Sequence, residues 1–117
     1  MLTRMFGGGL IREDEPQEAV HFPAVSTLCS ITITASQRST WLTKVTWSYD
    51  ADPAAGSLLT VEDGVGNFKR KWAVTKGGPG GLTLLRCKGT PNTDMIVKLS
   101  ASAGVIGTLM VEYIRRS

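Results

Sequence analysis

WLTKVTWSYDADPAAGSLLTVEDGVG, residues 41–66, predicts a strand, a turn and a second strand. Three aromatic side chains and Val45 all fall on odd-numbered positions of residues 41–49, so the period of two of an extended chain puts them on one face. The turn contains aspartates that bond their own backbone, a proline that fixes φ, and a glycine that is free to take positive φ. The chain therefore reverses into an antiparallel pair. One face of the first strand holds Trp41, Thr43, Val45, Trp47 and Tyr49, and all of these except Thr43 are core candidates.

Strand and turn patterns of the same kind continue over residues 25–117. The segment 25–35 is rich in β-branched side chains, and KGGPGG at residues 76–81 predicts a break before a strand that begins at Leu82. About seven strands follow one another at intervals of roughly 8 to 14 residues, with no helical period between them. This rhythm predicts one all-β domain, an antiparallel sandwich or barrel.

The last predicted strand, residues 105–114, is apolar on both faces. Leu109, Val111 and Tyr113 share the face expected to point into the core. The opposite face must also be buried. Either the strand is central and covered on both sides, or a second copy of the chain packs against this face. The second choice predicts an oligomer interface at Ile106, Met110 and Ile114.

The first 24 residues differ from the rest and predict an extended arm. A triple glycine at residues 7–9 and Pro16 disfavour a helix or strand, and the segment has a net charge of −2 against +5 for the remainder. The arm is expected to lie along a neighbouring subunit, and the alternative is a tail with no fixed partner. The predicted partner-binding anchors are Met5, Phe6, Leu10, Ile11 and Phe22.

Composition restricts the class of protein. The 117 residues suffice for one domain with a real core, and 42% of them are hydrophobic. No run approaches the roughly 18 apolar residues of a membrane helix, and the N-terminus has no signal-peptide pattern, so synthesis in the cytoplasm without membrane contact is expected. Cys29 and Cys87 lack metal-ligand spacing and are expected to be buried free thiols.

The densest basic run is Lys69, Arg70 and Lys71, followed by Trp72. Alternation puts Phe68, Arg70 and Trp72 on one face and the two lysines on the other, which divides the cations. Nucleic acid is therefore not expected as a partner. The possible surface contacts are Lys69, Lys71 and Trp72.

The sequence contains no recognisable catalytic constellation. His21 is the sole histidine and has no acidic or cysteine partner at ligand spacing. The acids Asp50, Asp52, Glu62 and Asp63 match no calcium-loop spacing and are interpreted as turn formers. We therefore predict a protein that is not an enzyme, with no catalytic residues, no cofactor and no metal site.

Several segments together resemble a known family. They are Trp47-Ser48-Tyr49, LTVEDG at residues 59–64, GGPGG at residues 77–81 and KGTPNTDMIVKLSASAGVIGTLMVEY at residues 88–113. Over roughly residues 25–114 this pattern resembles small β-sandwich structural proteins of tailed-bacteriophage virions.

The resemblance implies a jelly-roll-like sandwich of about seven to eight strands. It further implies a capsid decoration or cement protein, a homotrimer on the capsid surface with the major capsid protein or other virion subunits as its partner. The alternative that it leaves open is a receptor- or glycan-binding module of a tail or fibre, which would use Trp72 and the turn at residues 50–56.

Overall fold

A computed structural model describes residues 15–116, with residues 79 and 81–86 described in their backbone only. Residues 1–14 and 117 lie outside the described residues, and so do the predicted anchors Met5, Phe6, Leu10 and Ile11. The described chain contains eight strands: β1 Gln17–His21, β2 Cys29–Ile33, β3 Ser39–Tyr49, β4 Leu58–Asp63, β5 Phe68–Ala73, β6 Gly78–Lys88, β7 Met95–Leu99 and β8 Gly107–Arg116.

The strands form two antiparallel sheets of four. Sheet A has the order β1-β8-β3-β6, and sheet B has the order β2-β7-β4-β5. This distribution of eight strands over two sheets is the jelly-roll arrangement of two Greek keys. The predicted all-β, jelly-roll-like sandwich is therefore confirmed.

The core lies between the two sheets. Its fully enclosed side chains include Leu42, Val45 and Leu109 from sheet A and Leu59 and Leu99 from sheet B. A polar link also crosses the interior, because the hydroxyl of Tyr49 donates a hydrogen bond of 2.6 Å to the carbonyl of Ser100. This bond joins β3 of sheet A to the residue that follows β7 of sheet B.

A β-bulge in β3 changes the face of Trp41. Leu42 pairs with Tyr113 and Lys44 pairs with Glu112, so Thr43 has no position of its own in the ladder. One extra residue moves the side chains before it to the opposite face of the sheet. Leu42 is consequently buried in place of Trp41. Val45 and Tyr49 are buried and Trp47 packs against the core, but the placement of Trp41 and Thr43 on that face was wrong.

A second bulge lies in β5 at Lys69. Val61 pairs with Arg70 and Glu62 pairs with Phe68, which leaves Lys69 as the extra residue. Phe68 therefore shares the outer face of sheet B with Lys71, whose Nζ lies 4.2 Å from the centre of the phenyl ring. The predicted grouping of Phe68 with Arg70 and Trp72 was wrong for the same reason as at Thr43.

Part of the predicted arm belongs to the sandwich. β1 pairs with β8 from Gln17 opposite Tyr113 to His21 opposite Leu109. His21 also links the sheets, since its Nδ1 accepts a 3.0 Å hydrogen bond from the backbone N–H of Ser30 in β2. The boundary expected at residue 25 thus falls inside the connection between two paired strands. The pairing was not visible in the sequence because β1 is short and its partner is at the other end of the chain.

β6 begins inside the segment that was expected to be a break. Its first residue, Gly78, pairs with Tyr49, and Gly80 pairs with Trp47. The indole of Trp47 lies so close that a Cβ on Gly80 would be 2.5 Å from Cε2. Glycine serves here to admit a neighbouring ring rather than to end the strand.

Candidate functional site

Exposed apolar side chains gather where β1 ends and β8 begins. Val20 pairs with Met110 on the outer face of sheet A, and the pairing of His21 with Leu109 leads Phe22 toward Thr108, two residues from Ile106. Phe22 is 71% exposed, and Val25 and Ile106 are also exposed. We define the corner patch as Val20, Phe22, Val25, Ile106 and Met110.

The backbone beneath the corner patch is held by a set of loop hydrogen bonds. Ile106 N–H donates to Asp50 Oδ1 at 2.8 Å, and Asp50 N–H donates to the carbonyl of Ile106 at 3.1 Å. Ser26 N–H donates to the carbonyl of Val105, and Gly104 N–H donates to Ser26 Oγ at 2.9 Å. The patch is therefore presented on an ordered support, which lowers the entropy that a partner must remove on binding.

Charged residues separate the corner patch from the far end of β8. Glu18, Glu112 and Lys44 lie opposite one another on β1, β8 and β3. Beyond this row, Ile114 pairs with Trp41, and Lys88 Nζ lies 5.3 Å from the Trp41 ring. Of the predicted oligomer contacts, Ile106 and Met110 lie near the beginning of β8, on the side where β1 ends, whereas Ile114 lies toward the other end of the strand.

Val20 and Val25 belong to the corner patch but were not identified from the sequence. Val20 reaches the outer face only because β1 pairs with β8, a strand about ninety residues away in the chain. Val25 lies in the connection from β1 to β2 beside Ser26, which the loop of Val105 holds in place. No local periodicity indicates either position.

The loop carboxylates accept backbone N–H groups. Asp52 Oδ1 accepts from Gly77 at 2.7 Å, and Glu62 Oε1 accepts from Gly66 at 2.8 Å. Asp63 accepts both the backbone N–H of Thr90, at 3.0 Å, and its hydroxyl, at 2.6 Å. These bonds agree with the interpretation of the acids as turn formers. Within residues 15–116, no three His, Cys, Asp or Glu side chains are grouped closely enough to hold a metal ion.

Both cysteines are buried free thiols, as predicted. Burial raises the pKa of Cys29. Burial also raises the pKa of Cys87, although the nearby charges of Arg70 and Lys69 act in the opposite direction. A thiol that stays protonated is a poor nucleophile, so the two side chains act as small apolar residues of the core.

In β5 the lysines are exposed but the tryptophan is not. Lys69 and Lys71 are exposed, while Trp72 is half-buried and packs against the core. The indole therefore contributes to the scaffold more than to an open aromatic platform.

The part of the chain that the structure describes contains no helix with the length and hydropathy needed to cross a bilayer.

Comparisons with known proteins show a structural likeness but no related family. No family model matches the chain, and no curated protein matches it. The chain is similar to one in a solved structure described as "Bacillus endospore appendages form a novel family of disulfide-linked pili", with 14% sequence identity over 93% of this chain and 97% of that chain. The TM-score of that pair is 0.33.

Proposed function

We propose that the protein is a non-enzymatic structural subunit of a virion, a decoration protein that binds the outer surface of a phage capsid as a homotrimer. The observation that supports this proposal is the corner patch. Large apolar side chains that are exposed together on a well-ordered surface are typical of protein interfaces. In this proposal the patch joins the copies of the chain.

The corner patch suits contact between identical subunits. It combines Phe22 and Val25, which follow β1, with Ile106 at the start of β8, so one small area contains side chains from both ends of the chain. The hydrogen bonds of Asp50 and Ser26 keep these backbones in place before association. Association then buries apolar surface and orders little additional backbone.

In this proposal trimerisation makes attachment to the particle strong, so that each subunit needs no deep binding pocket. Three linked copies bind a three-fold site on a capsid with an affinity that exceeds that of one copy by about 10² to 10⁴. A weak contact for each subunit is then sufficient for stable decoration. The main partner in this proposal is the major capsid protein, and the protein is located at the capsid surface.

The test compares two aspartate substitutions at exposed apolar positions. Ile106→Asp places a charge in the corner patch, whereas Val65→Asp places the same charge on a side chain that is 89% exposed in the turn between β4 and β5. Val65 lies near the start of β7, because Gly64 N–H bonds the carbonyl of Asp94, and the corner patch lies near the loop that follows β7. The two sites are therefore at opposite ends of the sandwich.

Light scattering after gel filtration should give a trimer for the unchanged protein and for Val65→Asp, and a monomer for Ile106→Asp. Thermal unfolding of all three should give similar midpoints, which checks that the sandwich is intact. Binding to empty shells of the accompanying major capsid protein should weaken about a hundredfold or more for Ile106→Asp. A trimeric Ile106→Asp that decorates the shells fully would contradict the proposal, as would an unchanged protein that leaves the shells bare.

A further inference from the structure

The side of the sandwich away from β1 has a recess that is lined by cations. β6 is the edge of sheet A opposite β1, and β5 is an edge of sheet B. A recess of about 230 Å³ is lined by Lys69 and Arg70 of β5 and by Cys87 and Lys88 of β6. We define it as the basic recess. It is separate from the corner patch, which lies where β1 ends and β8 begins.

The β-bulge in β5 places Lys69 at the basic recess beside Arg70. Regular alternation would put Lys69 on the same face as Lys71 and on the face opposite Arg70. Because Lys69 is the extra residue of the bulge, it lines the recess with Arg70, whereas Lys71 lies 4.2 Å from the centre of the Phe68 ring on the outer face of sheet B. Burial raises the pKa of Cys87, and the charges of Arg70 and Lys69 both lower it, so the two cations act on the same part of the recess.

The positive charge of the basic recess has no carboxylate partner among the described residues. None of Lys69, Arg70 and Lys88 forms an ion pair there. Asp63 lies nearby, but both of its carboxylate oxygens accept hydrogen bonds from Thr90. Cations that are gathered without a counter-ion repel one another, and a bound anion removes that repulsion. The charge balance of the recess therefore favours an anionic ligand.

Two of the three cations already have contacts that hold them in position. Arg70 Nη1 donates a hydrogen bond of 2.9 Å to the carbonyl of Lys69, and the guanidinium has further N–H groups to donate. Lys88 Nζ lies 5.3 Å from the centre of the Trp41 ring. A guanidinium can donate two parallel hydrogen bonds to a phosphate group, and the ammonium groups add point charges around it. The side chains of the recess thus suit phosphate oxygens.

We propose that the basic recess binds the phosphate group of a small phosphorylated molecule. A phosphate ester carries a charge of about −1.5 to −2 at pH 7 and three strong acceptor oxygens, which match three cations better than one carboxylate does. Sites for drug-sized ligands measure about 300 to 1,000 Å³, so a recess of about 230 Å³ suits a smaller molecule. A nucleic acid is less suited, because it requires cations gathered along one face and Lys71 lies on a different face.

Calorimetric titration of the full-length protein with pyrophosphate tests the inference, and one site per chain is expected. Lys69→Gln and Lys88→Gln should each weaken binding about tenfold, the effect of losing one charge-assisted hydrogen bond. Lys71→Gln is the matched control, since it removes the same charge two residues away in β5. At about 0.15 M salt it should change the affinity by less than about twofold, because charges on different faces are screened from each other.

Equal weakening by Lys69→Gln and Lys71→Gln would overturn the inference, because the anion would then respond only to the overall charge of the chain. An unchanged protein that does not bind pyrophosphate would overturn it as well. Lys88→Gln lies on the other strand and leaves the bulge intact, so full affinity in that variant would contradict the recess even if Lys69→Gln disturbs β5. A single-stranded oligonucleotide that binds more tightly than pyrophosphate, and loses that affinity in Lys69→Gln, would overturn the small ligand in favour of a nucleic acid.

Discussion

The indole of Trp47 lies against the backbone of Gly80 on the neighbouring strand, in the space that a Cβ would occupy. A Cβ on Gly80 would be 2.5 Å from Cε2 and 2.7 Å from Nε1 of the ring. The ring is partly buried and packs against the hydrophobic core, so moving it disturbs core contacts. This contact explains why a glycine-rich segment forms part of β6 rather than ending it.

Gly80→Ala should destabilise the protein by about 1 to 3 kcal/mol, because the added methyl group forces the indole from its position. Urea unfolding measures the effect. In a Trp47→Val background the same substitution should cost much less, since the smaller side chain leaves room for the methyl group. An equal cost in both backgrounds would show that the contact with Trp47 is not the cause.

Leu42→Ala should destabilise the protein by about 2 to 5 kcal/mol, because the bulge at Thr43 places Leu42 at a fully buried position. Trp41→Thr should cost less by at least about 1 kcal/mol, since Trp41 is only half-buried on the outer face of sheet A. Urea unfolding of both variants measures the difference. The reverse order of the two costs would show that the bulge is absent.

Tyr49→Phe should lower the free energy of unfolding by about 1 to 2 kcal/mol, because the carbonyl of Ser100 loses the hydroxyl that crosses the core. Tyr113→Phe serves as the control, because it removes the same hydroxyl group from a half-buried tyrosine. The ring of Tyr113 lies 5.5 Å from the guanidinium of Arg115, a contact that phenylalanine keeps. We expect the control to change stability by no more than about 0.5 kcal/mol. Similar losses of unfolding free energy in both variants would show that the hydrogen bond to Ser100 does not account for the effect of Tyr49→Phe.

Asp63→Ala should cost about 1 to 3 kcal/mol, because the backbone N–H and the hydroxyl of Thr90 both lose their acceptor. Thr90→Val removes the hydroxyl alone and should cost less than Asp63→Ala. Thermal unfolding of the two variants gives the comparison. A smaller loss for Asp63→Ala than for Thr90→Val would contradict a role for this carboxylate in joining the two turns.

Stability should decline above about pH 9 because of Cys29. Burial raises the pKa of this thiol above its ordinary value of 9.0, so the unfolded chain loses the proton first as the pH rises. The thiol's contribution is therefore complete below pH 9 and is lost as the pH passes through the raised folded value. Burial raises the pKa of Tyr49 from 10.0, which adds the same trend at higher pH.

Urea unfolding between about pH 8 and pH 10 measures this decline in the unchanged protein and in Cys29→Ala. The variant should show a shallower decline, whatever its absolute stability. Native Cys29 should also react slowly with a thiol reagent and rapidly in denaturant. Fast labelling of the folded protein at both cysteines would contradict their burial.

Period-two alternation and turn residues were enough to predict an all-β antiparallel domain, a sandwich or a barrel, and the resemblance to a family pointed to the jelly-roll-like sandwich. The same local patterns identified Val45 and Tyr49 as core residues, the thiols as buried and the loop acids as turn formers. These properties follow from side chains that are close in sequence, where pleating and turn chemistry act directly. They could therefore be inferred without a partner strand.

Only the tertiary structure decided which face each residue occupies beyond a bulge, and which strands are neighbours. Thr43 and Lys69 each insert one residue relative to a partner strand, and a sequence shows no partner. The corner patch depends on the pairing of β1 with β8, which joins the two ends of the chain. Register is determined by hydrogen bonds between distant segments, so Val20 and Met110 became neighbours through folding and not through any local pattern.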